Sequence, residues 1–145
     1  IQVAIVDYLQ LIKDTSKKTD ESEIASNTRR LKNIAKELNI TVILLSQLKR
    51  SDKPEPTIGR LRGSGQIEEA ADLVVMIWRP ELFNISTYAD SPIVDTVGTA
   101  EVIIAKGRNY GVGKFYLKFD EKLTYFSNID NYNTEESNNE QNRPF

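Results

Sequence analysis

Two short, unbroken apolar runs bracket an amphipathic stretch in this chain, and that arrangement restricts the folds open to it more than any other feature. The first run, Val3-Ala4-Ile5-Val6, stops abruptly on Asp7, and the second, Thr41-Val42-Ile43-Leu44-Leu45, stops on Ser46-Gln47. Between them Ile24, Thr28, Leu31, Ile34, Ala35 and Leu38 recur at helical spacing, with Asp20 and Glu23 placed as a capping box and Asn39 just past the end. Such runs read as strands buried on both faces, as in a parallel sheet. Strand, helix and strand in succession predict a parallel pair joined by a right-handed crossover.

In open α/β sheets ligands bind in the crevice outside the C-terminal ends of the strands, so Asp7 is the first candidate site residue. Two readings stand side by side. An Asp here can hold Mg²⁺ in a nucleotide-hydrolysing sheet, usually through water, or it can cap the following turn. If the two strands are neighbours, Gln47 emerges on the same edge. There it can donate to a phosphate oxygen and accept from water, or simply end its strand.

From Lys49 to Arg62 the character changes. Lys49, Arg50, Lys53, Arg60 and Arg62 stand against only Asp52 and Glu55, and Pro54, Pro56 and Gly59 break regular structure. This reads as a mobile basic loop, for which solvated charge is the common explanation. It runs directly into Gly63-Ser64-Gly65 and then Gln66 to Ala71, which reads as a short helix. Bare backbone N–H groups at its start, reinforced by the arginines, suit a phosphate of nucleotide or nucleic acid.

Asp72 to Trp78 reads as a third buried strand, closed by Arg79-Pro80, and Glu81 to Val97 as a polar, irregular excursion. Ala100 to Ala105 and Phe115 to Phe119 give two more strands, joined through the turn Gly107 to Gly113 as an antiparallel edge hairpin. Within that turn Gly111-Val112-Gly113-Lys114 imitates the end of a phosphate-binding loop. Phe115 stands where the Ser/Thr belongs, and the segment joins strand to strand, so it is set aside. Lys106 and Arg108 put two cations on one face as the strand ends; solvated edge charges are their plain explanation. Asn131 to Phe145, rich in Asn and Glu, reads as a disordered tail.

Composition narrows the chemistry. A chain of 145 residues with 39% hydrophobic content fits one globular domain. With no Cys and no His, disulfides, thiolate metal sites and imidazole bases are excluded, leaving carboxylates, Lys, Arg and amides. The net charge of -2 requires any nucleic-acid contact to come from a local patch. The sequence has neither a stretch of about eighteen apolar residues nor a signal-peptide pattern, so a soluble, cytoplasmic protein is expected.

Four segments then meet a family: Ile5-Val6-Asp7-Tyr8-Leu9-Gln10-Leu11, Leu44-Leu45-Ser46-Gln47-Leu48-Lys49-Arg50, Leu61-Arg62-Gly63-Ser64-Gly65-Gln66-Ile67-Glu68 and Lys106-Gly107-Arg108-Asn109. In order and spacing they resemble the bacterial replicative helicase (DnaB) family, over roughly Val3 to Phe126. The resemblance implies an α/β, RecA-like P-loop NTPase core, with a mostly parallel sheet flanked by helices and an antiparallel edge hairpin. It also implies a homo-hexameric ring around single-stranded DNA, with ATP and Mg²⁺ between neighbours and primase and a helicase loader as further partners. Asp7 would be the Walker B Mg²⁺ residue and Gln47 the γ-phosphate sensor. Arg62 to Gln66 match the DNA-gripping motif, and Arg50 and Arg60 beside it are expected to bind DNA as well. Lys106 and Arg108 match the cations inserted into the neighbouring subunit's ATP site.

Gly63 departs from the Glu common in bacterial members and is similar to phage and mitochondrial relatives. No G-x-x-x-x-G-K-[ST] pattern occurs in the chain. The expectation is therefore the C-terminal part of a motor over residues 1–130, its P-loop half and any primase-binding domain lying upstream, and inactive by itself. A RecA-like recombinase or regulatory ATPase, and a non-enzymatic DNA-binding or oligomerisation module, are the rival readings.

Overall fold

The computed structural model describes residues 1–13, 20–61 and 64–129. Arg62, Gly63, the side chains of Asp20, Ser64 and Pro92, and the tail expected over 131–145 lie outside what it describes. The chain divides into two compact units, Ile1–Trp78 with Val102–Lys114, and Arg79–Glu101 with Phe115–Phe145.

The first unit opens with strand β1 (Val3–Val6), helix α1 (Asp20–Glu37) and strand β2 (Thr41–Leu44). The strands pair in parallel, Val3 opposite Thr41 and Val6 opposite Leu44, as the bracketed apolar runs require. Helix α1 buries Ile24, Asn27 and Thr28. The Asn27 amide donates to Ile12 O at 2.9 Å, tying the helix to the segment after β1. Farther along, Ile34 and Leu38 are exposed, so the expected apolar stripe is covered only in its first half. The helix ends where Asn39 was expected to end it, at φ 49°. Asn39 N donates to Lys36 O and Ile40 N to Ala35 O, the reciprocal pair of a Schellman turn.

After β2, Leu48 and Leu61 form an antiparallel bridge that closes the base of the basic loop. Helix α2 (Ser64–Ala70) and strand β3 (Leu73–Trp78) follow. Expected to be buried throughout, β3 alternates: Val74, Met76 and Trp78 are buried, while Leu73, Val75 and Ile77 are exposed. In β1, likewise, Ile5 is 68% exposed. Successive side chains point to opposite faces of a strand, and only one face is covered by the residues described.

In the second unit the segment read as an irregular excursion is structured. A 3-10 turn over Pro80–Phe83 leads to β4 (Thr87–Tyr88) and β5 (Ser91–Asp95), an antiparallel pair. Tyr88, Val94 and Thr96 are buried. Tyr88 OH lies 3.0 Å from Thr99 Oγ1, and its ring packs on Tyr116 at 4.8 Å between centroids. The few large apolar residues of this segment are spread too thinly among polar ones to register as a periodic run. Arg79 lies over the Phe119 ring at 4.0 Å and donates to Glu81, whose other oxygen accepts from Gly98 N at 2.8 Å. These bonds hold the Glu81 carboxyl below its ordinary range, the Gly98 N–H first and Arg79 second.

Strands β6 (Thr99–Gly107) and β7 (Gly113–Asp120) run through both units, and the second unit adds β8 (Tyr125–Asn128). The strand order is β3-β6-β7-β8. β6 and β7 are joined through residues 108–112 alone, a link that only an antiparallel pair can use, and β7 pairs antiparallel with β8. A Cβ at Gly107 would sit 2.2 Å from Gly111 O, so this turn needs glycine. β1 and β2 pair in parallel, in a sheet separate from that of β3.

Candidate functional site

Parallel register puts the ends of β1 and β2 side by side. With Val6 opposite Leu44, Asp7 and Gln47 leave the pair at the same C-terminal edge, and both are exposed. The backbone there is stitched: Leu45 N donates to Val6 O at 3.0 Å and Leu9 N to Leu45 O at 2.9 Å. Leu9 is completely buried beneath. The peptide bond between Asp7 and Tyr8 is cis.

Gln10, which strand patterns do not single out, completes the edge. Its amide nitrogen donates to Ser46 Oγ at 3.0 Å, and its carbonyl oxygen faces Gln47 N at 3.4 Å. One side chain thus ties the segment after β1 to the residue before Gln47. An exposed carboxylate at such an edge is a hard oxygen donor, which fits Mg²⁺, an ion that keeps several waters and takes few protein ligands.

The basic loop is more ordered than its composition suggests. Arg60 donates to the carbonyls of Lys49, Lys53, Pro54 and Glu55, and Lys49 N donates to Arg60 O at 2.7 Å. Pro56 is buried, whereas Lys49, Arg50 and Lys53 are exposed. Lys49 stands 3.9 Å from Glu21 and Lys114 3.7 Å from Glu55, both pairs largely open to solvent and of small energetic weight. Gly65 has open space around it, and the Gln66 amide oxygen accepts from Arg29 of α1 at 2.8 Å.

Lys106 and Arg108 are not free edge charges. Both reach the C-terminal end of α2, Lys106 donating to Glu68 O and Arg108 to Glu69 O at 3.2 Å. The last carbonyls of a helix lack intrahelical partners and carry partial negative charge, so cations are stabilised there. The Arg108 guanidinium also pairs with the Asp72 carboxylate at 3.0 Å, its main-chain N–H donates to Asp72 O at 2.8 Å, and Lys32 of α1 meets the same carboxylate. The Lys32 hydrogen bond holds the Asp72 carboxyl below its usual range, and the Arg108 and Lys106 charges act in the same direction.

Sequence reasoning missed Asp72, Lys32 and Gln10. Asp72 opens an apolar run, where a polar residue looks like punctuation, and nothing in spacing shows that three cations converge on it. Arg29 of α1 reaches Gln66 in α2 and Lys32 reaches Asp72 just past its end, so Gln66, expected to grip DNA, lies on the same short helix whose last carbonyls meet Lys106 and Arg108.

The structure thus places an exposed carboxylate at a parallel strand edge and gathers two cations on a helix end, and the comparisons with known proteins supply the family. The family model of the DnaB-like helicase C terminal domain matches residues 1–128, and the chain belongs to that family. It is 43% identical over 138 residues to a replicative DNA helicase DnaB of Buchnera aphidicola, covering 91% of this chain and 27% of that protein. A probable replicative DNA helicase of Trieres chinensis is 40% identical over 132 residues, covering 87% and 28%. Among solved structures, a DnaB-like replicative helicase studied for its interactions with primase matches with TM-score 0.75 and 32% identity, over 88% of this chain and 31% of that one. A second solved structure, an isolated ATPase domain, matches with the same TM-score and identity, and 44% of its length is covered. The chain thus shares the fold of these solved ATPase domains while spanning little more than a quarter of the curated relatives' length.

Proposed function

We propose that residues 1–130 form the C-terminal part of the motor of a replicative DNA helicase, cytoplasmic and working as a ring of six subunits. In this reading β1, β2 and β3 belong to one mostly parallel RecA-like sheet in the complete motor. ATP lies between neighbouring subunits, and its hydrolysis drives movement along single-stranded DNA and separation of the duplex. The supporting observation is the parallel register that sets Asp7 and Gln47 at one strand edge, within a chain belonging to this family.

Asp7 would hold Mg²⁺ through water, and the ion supplies neutralisation of phosphate charge when bound. Gln47 would hydrogen-bond the terminal phosphate or its attacking water, and Gln10 would keep the Gln47 backbone in place. Arg50 and Arg62, with Gly63, Ser64, Gly65 and Gln66, would grip the DNA strand by charge and backbone N–H groups. Such contacts fix position without reading bases. Lys106 and Arg108 would stabilise transition-state charge in the neighbouring subunit's site. Primase is a candidate partner, since the matching solved helicase was studied with it, and a helicase loader is another.

The test is ATP hydrolysis and forked-duplex unwinding by the complete protein that carries this segment. Both activities are expected, both are expected to vanish in Asp7→Ala, and the 145-residue chain by itself should show no ATPase above background. Wild-type turnover in Asp7→Ala would remove Asp7 from the site.

A further inference from the structure

Resting on the reading of the segment after β2 as the DNA grip, we propose that Arg60 is a positioning residue: it holds the basic loop in its binding shape and makes no phosphate contact of its own. The guanidinium offers five N–H donors in a rigid planar fork, the geometry that makes arginine a phosphate binder. Here the fork is already engaged. Nε and Nη2 both donate to Lys49 O, at 3.2 and 3.0 Å. Nη1 faces Lys53 O at 3.1 Å, Pro54 O at 2.7 Å and Glu55 O at 2.9 Å. The edge between Nε and Nη2 closes on one carbonyl, and Nη1 has three acceptors for two hydrogens. No pair of adjacent N–H groups is left for a bidentate phosphate contact.

What the side chain does instead follows from the loop it closes. Leu48 and Leu61 bridge at the base, and Lys49 N donates to Arg60 O at 2.7 Å. Above that base the chain from Lys49 to Glu55 turns its carbonyls inward onto Arg60, satisfying main-chain acceptors that a loop otherwise leaves to water. Lys49, Arg50 and Lys53 are left exposed on the outside. A loop ordered before it meets its ligand loses less conformational freedom on binding, so the staple acts on affinity through the neighbouring cations. Lysine cannot replace it, because three donors on one nitrogen cannot span carbonyls that a planar fork reaches from several sides.

Charge and shape can be told apart in the complete protein carrying this segment. The measurement is fluorescence anisotropy with labelled oligo(dT) at several salt concentrations, together with hydrogen exchange of the amides over 49–60. Arg60→Lys and Arg60→Ala should weaken binding alike, by about tenfold. Both should raise exchange in the loop, and neither should change the salt slope, since no phosphate contact is lost. Arg50→Ala combined with Lys53→Ala should instead lower the slope by roughly 0.7 for each phosphate contact removed, with exchange unchanged. Wild-type affinity in Arg60→Lys together with a slope lowered by about 0.7 in Arg60→Ala would make Arg60 a direct phosphate contact and overturn the proposal. Unchanged affinity and exchange in both Arg60 variants would overturn it too. If exchange rises in the Arg60 variants while no variant, Arg50→Ala with Lys53→Ala included, alters affinity or slope, the loop is not the DNA grip. The positioning role then falls with that reading, while the closure of the loop stands.

Discussion

The strand ends that carry Asp7 and Gln47 and the cluster around α2 handle charge in opposite ways. At the strand ends the candidate groups are exposed, and the hydrogen bonds around them belong to their neighbours: Gln10 braces the Gln47 backbone, and β1 and β2 exchange main-chain bonds. Around α2, Lys106 and Arg108 already rest on helix carbonyls and on Asp72. In the proposed reading, a group that meets a metal and a phosphate from its own subunit is best left open on a rigid edge, whereas a cation that reaches outward must be held in a ready position or exchange partners, because fixing a long, unanchored side chain costs rotamer entropy.

That contrast can be broken first at the strand edge, where the largest effect is expected. Asp7→Ala in the complete protein should bring ATP hydrolysis to background while leaving assembly intact, as measured by turnover and sedimentation. Retained activity would mean the open edge is not the nucleotide site. Next comes Arg108→Ala, with a loss on the order of a thousandfold. Mixed with subunits that lack a working phosphate-binding loop, it should regain part of its ATPase, because some interfaces then combine one intact cation pair with one intact loop. Mixtures that stay dead at every ratio would confine Arg108 to its own subunit.

Asp72→Asn asks whether the anchoring around α2 matters beyond Arg108 itself. It keeps the shape of the side chain and removes the charge that draws in Arg108 and Lys32. Turnover should fall by roughly ten- to a hundredfold, since misplacing a catalytic group by about an ångström costs that much. ATP affinity should hold, because Asp72 acts through the clamp on α2. A KM shift without a change in kcat would contradict a positioning role.

The smallest effect is expected at an ion pair outside both regions. Glu81→Gln removes the negative charge that pairs with Arg79 and should cost about 1 kcal/mol of stability in urea unfolding, with ATPase unchanged. Its pH dependence has a definite sign. The folded-state pKa of Glu81 lies below the unfolded value, so its contribution is fully present above the ordinary carboxylate range and disappears as pH falls through the depressed folded value. Wild type and Glu81→Gln should therefore converge in stability at acid pH. A gap that persists there would assign the loss to packing.

Local pattern determined a good deal of this molecule. The apolar runs need no tertiary information to be recognised as strands: β1, β2 and β3 lie within one residue of the stretches Val3 to Val6, Thr41 to Leu45 and Asp72 to Trp78. The helix between the first two ends at Asn39 because a left-handed residue there closes the turn, a signal carried by a single side chain. The edge that holds Asp7 and Gln47 follows from the same patterns, since parallel pairing fixes which ends of two strands coincide.

Only the tertiary structure decided what each cation does. Arg50, Arg60 and Arg108 read alike in the sequence as exposed charges, yet Arg60 turns inward onto four main-chain carbonyls, Arg108 clasps α2 and Asp72, and Arg50 stays open. Their partners lie up to 39 residues away, and a basic residue leaves no periodic trace of what it will meet. The same limit hid β4 and β5, whose buried apolar side chains, Tyr88 and Val94, are too few to make a pattern. Hydrophobic periodicity is written along the chain because burial repeats with the geometry of a strand or helix. A hydrogen bond to a distant carbonyl repeats with nothing, and exists only once the fold has brought its two ends together.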